Sequence, residues 1–158
     1  MSTLSLFEWF EATPLGQTIR HSLWLFPVLE AVHLLGLCAL GGAVLLVDLR
    51  LLGVGLRQQS IAEVARGVRR WLVVSVSAMV VTGALLFLSE AIKCYHNPSF
   101  WVKITTLPIA VGYTFLVRQR IATRGTLETS FGSRMLAVGS LALWFTVAAA
   151  GRWIGFSS

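Results

Sequence analysis

The chain has 158 residues, 56% of them apolar and only 13% charged, with a formal net charge of +6. Counting its 14 glycines with the apolar residues gives about 65%, well above the roughly 45–50% of soluble domains. A fold this small leaves much of its chain exposed, so water is the wrong solvent for it. A soluble enzyme, a disordered chain and a disulfide scaffold are excluded, and the bilayer becomes the expected environment.

The first stretch, with Leu4, Phe7, Trp9 and Phe10, reads as a short amphipathic helix on the membrane surface, closed by Thr13-Pro14. It carries Glu8 and Glu11 and no cation, unlike the basic start of a signal peptide. Four segments then have the length and apolarity of membrane spans: residues 22–47, 71–88, 101–117 and 135–151. Ser60-Ile61-Ala62-Glu63 fits a capping box, and Ile61, Val64, Val68 and Trp71 follow at helical spacing. The second helix is therefore expected to begin before its span. The fold class is all-α, a four-transmembrane-helix bundle with a short N-terminal interfacial helix, in one integral membrane domain over 1–158.

The cations lie at the ends of the apolar runs and form no dense tract, which marks them as topology signals rather than a nucleic-acid surface. Nine arginines fall in 48–70 and 118–134, against Arg20, Lys93, Lys103 and Arg152 on the other side. The positive-inside rule places the Arg-rich loops in the cytoplasm and both termini outside. Asp48 and Arg50 read as an ion pair anchoring the inner end of the first span. Gly139, Ala142, Thr146 and Ala149 form a small-residue stripe on the fourth, suited to close helix packing. Cys38 and Cys94 are too separated in depth to pair.

Glu30 and His33 are the residues most out of place. They fall about 12 and 17 Å below the outer start of the first span, three residues apart and so on one helix face. Ionisable groups at such depth mark functional sites by default. Gly36, one turn further on, leaves space beside the imidazole for a flat ligand such as a porphyrin. The alternative is a Glu–His pair that joins helices and binds nothing.

Other segments supply partners. Met79 lies near the depth of His33, and a His–Met pair suits haem or soft copper. Lys103 and Arg152 sit near the outer surface, placed either to turn toward Glu30 or to snorkel into the headgroups. His21, Cys94 and His96 form a second, outer candidate for copper. No nucleotide loop, nucleophile triad or zinc motif is present, so no catalytic residue is assigned and enzymatic activity is left open.

Several motifs carry a resemblance. Glu30-Ala31-Val32-His33-Leu34-Leu35-Gly36, Val47-Asp48-Leu49-Arg50-Leu51-Leu52-Gly53, Thr82-Gly83, Asn97-Pro98-Ser99-Phe100-Trp101-Val102-Lys103 and Ala150-Gly151-Arg152-Trp153-Ile154 look like those of a domain-of-unknown-function family. Its members are small bacterial four-helix integral membrane proteins. More distantly, His33, Thr82-Gly83 and Trp101-x-Lys103 resemble the CopD copper-resistance and HemJ protoporphyrinogen-oxidase group. That resemblance implies a four-helix bundle of the bacterial inner membrane, with b-type haem or copper handling at the position of His33.

These readings converge on an integral membrane haem-binding redox or electron-transfer protein, a subunit of a respiratory complex. Haem b would be held by His33, with Glu30, Gly36, Lys103 and Arg152 around it, in a chain partnered by lipid and by other membrane subunits or further copies of itself. The alternatives are a structural accessory subunit without catalytic role, and copper or small-solute transport.

Overall fold

Ser2 and Thr13 each turn a side-chain oxygen onto a backbone N–H and start the first two helices, α1 (Thr3–Glu11) and α2 (Pro14–His21). The surface segment is thus two helices, because Thr13-Pro14 closes one and opens the next with Pro at the first helical position. The computed structural model describes residues 2–124 and 129–156. Residues 125–128, in the second polar link, lie outside the described residues.

Ser22 Oγ receives the N–H groups of Trp24 and Leu25 and starts α3 (Leu25–Leu52), with Pro27 in the first turn where its missing N–H costs nothing. Gly53, at φ 78°, ends α3 in the left-handed conformation that favours glycine. The expected capping box is formed: Ser60 and Glu63 bond reciprocally and begin α4 (Ile61–Ser89). A one-and-a-half-turn helix, α5 (Ala91–His96), occupies what the sequence reads as a loop. Asn97 then caps α6 (Pro98–Gly112), which runs through a π-helical turn (Tyr113–Arg118) into α7 (Gln119–Thr123). Ser130 caps α8 (Phe131–Ile154).

Four helical stretches are long and apolar enough to cross a membrane: Leu25–Leu52, Ile61–Ser89, Pro98–Thr123 and Phe131–Ile154. Helix α3 packs between α4 and α8, and α6 lies on the far side of α8. The dry core occupies the Arg-rich half, where Leu40, Val44, Val47 and Leu51 meet Ile61, Val64, Val68 and Leu72, with Ala122 and Ala137 closing it. Toward the opposite end the buried residues of α4 are Ser75, Thr82 and Ser89. That end is covered by α1, α2 and α5. Phe7 is edge-on to Phe87 and Tyr95, at ring separations of 5.4 and 5.2 Å, and Phe87 stacks on Phe100 at 5.5 Å. Glu11 pairs with Arg20 and accepts the Ile92 N–H at 2.7 Å.

The small-residue stripe on α8 is not its packing face. Ala142, Thr146 and Ala149 are exposed, and the buried line is Ser133, Ala137, Ser140, Val147 and Ala150. Only Gly139 of the stripe sits at a close contact, where a Cβ would lie 3.0 Å from the Tyr113 hydroxyl.

Candidate functional site

His33 lies on the seam between α3 and α4. Its Nδ1 is 2.8 Å from Thr82 Oγ1, and that hydroxyl donates its one proton to the Ala78 carbonyl at 2.7 Å. Toward the imidazole Thr82 is therefore an acceptor, so Nδ1 carries the proton and Nε2 keeps its lone pair. Nε2 has no hydrogen-bond partner among the described residues. The ring edge rests on Gly83, where a Cβ would meet Cε1 at 3.2 Å; the Thr82-Gly83 dipeptide both orients the histidine and makes room for it.

Gly36 does not leave the open space expected beside the imidazole. Met79 fills it, and a Cβ on Gly36 would be 3.3 Å from Met79 Sδ. Met79 also packs against the dry core. His33 and Met79 share the α3–α4 seam, with the sulfur engaged by Gly36.

Lys103 is half-buried on α6 and lies over α8, with Nζ 3.3 Å from where a Gly151 Cβ would be. It has no ion pair among the described residues. Among the described residues, an imidazole lone pair on the α3–α4 seam thus lacks a hydrogen-bond partner, and a cation on α6 over α8 lacks a counter-ion.

Glu30 joins neither group. The residue is exposed, and neither Lys103 nor Arg152 pairs with it. Helix α3 begins at Leu25, so Glu30 is about 7.5 Å along the helix rather than 12 Å. Arg152 is exposed and lies over the Phe156 ring at 4.4 Å. His21 is exposed and bonded to Gln17 at 2.9 Å; His96 is exposed against the Tyr95 ring. Cys94 is buried, and burial, reinforced by the charge of Glu90, pushes its thiol up to about 11. These outer groups are not gathered: among the described residues no three His, Cys, Asp or Glu side chains converge as a metal-holding group.

A second polar constellation lies in the Arg-rich half. Asp48 pairs with Arg118 at 2.7 Å, both side chains fully buried. The same Arg118 nitrogen reaches Ser140 Oγ at 3.1 Å and the Val44 carbonyl at 3.3 Å, so the pair joins three spans. Asp48 Oδ2 and Arg118 Nε and Nη2 have no protein partner. This overturns the expected Asp48–Arg50 pair. Residues two apart on a helix point to different sides, and Arg50 instead donates to the Gln59 carbonyl at 2.6 Å and to Thr129 at 3.2 Å. Arg118, which the sequence assigns to a loop, is drawn inside by the π-helical turn, whose extra residue rotates it inward.

Four apolar helices around two buried polar constellations define a multi-span helical membrane protein. The chain belongs to the family of unknown function DUF6644, whose model matches residues 6–157. No curated protein and no solved structure matches it, and the more distant resemblance to the CopD and HemJ group gains no support from these comparisons.

Proposed function

We propose that b-type haem binds beside the α3–α4 seam through His33 Nε2 and that the protein carries electrons within a membrane complex. The observation behind this reading is a half-buried imidazole whose tautomer is set for ligation by Thr82; the half-buried ammonium of Lys103, without a counter-ion among the described residues, adds to it. An axial histidine ordinarily has its other nitrogen fixed by such a hydrogen bond. Lys103 is the group placed to face a propionate, and Gly83 and Gly151 keep the walls low beside the two side chains. Bound haem would supply one-electron redox chemistry; the chain supplies the ligand, its orientation and the neutralising charge.

A visible spectrum of detergent-purified protein, made with haem supplementation, tests the reading. A Soret band is expected in the wild type. His33→Ala should abolish it in a protein that still folds, Thr82→Val should retain haem with a shifted potential, and Met79→Leu should leave the spectrum unchanged. Pigment undiminished in His33→Ala sinks the proposal.

The structural alternative rests on the same hydrogen bond, since His33 to Thr82 also ties α3 to α4. Interhelical bonds of this kind contribute about 0.6–2 kcal/mol. A colourless, metal-free wild type that loses about that much stability in His33→Ala selects the accessory-subunit reading. Copper bound through His33 in a colourless protein selects the copper reading.

A further inference from the structure

A cleft of about 460 Å3 opens at the Arg-rich end between α4 and the segment from the π-helical turn through α7. Clefts of roughly 300–1,000 Å3 are the usual size for small-molecule sites. Arg66 and Arg69 line it from α4 and Arg120 from α7. Phe115 and Leu116 form its wall on the membrane side, and Leu116 is 62% exposed. The charges are at the level where the second span starts and the third ends; the apolar wall is within the third span. The cleft therefore changes from cationic to apolar along the direction in which a lipid changes from headgroup to acyl chain.

Gln119, also in the lining, is only 5% exposed. Its amide nitrogen donates to the Ala65 carbonyl at 2.6 Å, which fixes the side chain between α4 and α7, and its Oε1 has no partner. An unpaired buried carbonyl oxygen is costly, and a donor in the cleft would satisfy it. The three exposed arginines beside it offer positive charge to an anion. A molecule with a phosphate for the arginines, a hydroxyl for Gln119 and a hydrocarbon tail for Phe115 and Leu116 fits all three features. We infer that this cleft is a binding site for an anionic phospholipid with a hydroxylated headgroup, taken from the leaflet at the Arg-rich end. Basic clefts between transmembrane helices are established headgroup sites in general.

Native mass spectrometry of the full chain, released from nanodiscs of phosphatidylglycerol and phosphatidylcholine, tests it. The wild type should retain phosphatidylglycerol in preference to phosphatidylcholine. Each of Arg66→Gln, Arg69→Gln and Arg120→Gln should reduce the retained fraction about fivefold, the effect of one basic residue near an anionic lipid surface. Arg134→Gln, an exposed cation outside the cleft, should leave it unchanged. The three single variants are each read alongside a thermal melt, so Arg120→Gln in folded protein carries the test where the others fold poorly. Equal retention of the two lipids, or an Arg134→Gln loss as large as those in the cleft, overturns the proposal. Binding of free glycerophosphate at the strength of the lipid overturns it too, and assigns the cleft to a soluble phosphate.

Discussion

Breaking the Asp48–Arg118 pair from one side leaves a charge stranded in a dry interior. Loss of one partner of a buried pair typically costs about 3–5 kcal/mol, whereas replacing both by apolar residues is often close to neutral. Arg118→Leu and Asp48→Leu should therefore each lower stability by about that amount in equilibrium unfolding from detergent micelles. The double variant should be more stable than either single one. Additive losses in the double variant would show that the two side chains act independently. Cys94 gives a separate test at this scale. Burial favours its neutral thiol, so the associated stability is fully present below pH 9 and is lost as the pH rises through about 11. At pH 8 only about one thiol in a thousand is ionised, and alkylation of Cys94 in folded protein should be slow, accelerating above pH 10. Rapid labelling at pH 8 would place the sulfur in a less buried setting.

Helices are the scale at which the sequence is most readable. The four spans announce themselves by length and apolarity, and the Ser60–Glu63 box is a local device needing nothing beyond four residues. Partners are harder. Asp48 finds a residue 70 positions away, brought into range by a one-residue change of helical register. No local pattern marks that register change. Glu30 misleads for a related reason, since its depth depends on where the helix starts, and Ser22 delays that start. His33 stands out in the sequence as a candidate, whereas its bond to Thr82 emerges only from the packing of α4. Helix α2 approaches α4 closely at Gly16, where a Cβ would stand 2.5 Å from the Leu88 carbonyl oxygen. Backbone cannot yield as a flexible side chain does, so Gly16→Ala should destabilise the protein by about 1–3 kcal/mol, measured by thermal melting. An unchanged melt would mean that α2 moves off α4 without cost.

For the whole molecule, the cation balance persists after Arg118 is removed from the surface: eight arginines remain around the Arg-rich end, against four cations at the other. The orientation expected from that asymmetry puts Gln58 in the cytoplasm and Lys93 outside. In a Cys38→Ala, Cys94→Ala background, Gln58→Cys should react with an impermeant maleimide only in inverted vesicles, and Lys93→Cys only in intact cells. The reverse pattern would invert the protein. The buried aliphatic core lies in the Arg-rich half, whereas the opposite half is joined by the Phe7–Phe87–Phe100 cluster and by the His33–Thr82 bond.

The Glu11 bond to Ile92 spans 81 positions and sets an order of events during biosynthesis. Helices α1 and α2 leave the ribosome before α4 and α5, and their docking surface on those helices is complete only once residue 92 has been made. At roughly 5–20 residues per second, residues 22–92 take about 4–14 s to synthesise. During that interval the N-terminal segment is tethered to α3 but lacks its docking surface on α4 and α5. The outward-facing Leu6, Trp9 and Leu15 give it apolar contact with the lipid interface meanwhile. Replacing them with polar residues would subtract little from the finished bundle but would weaken that interim contact.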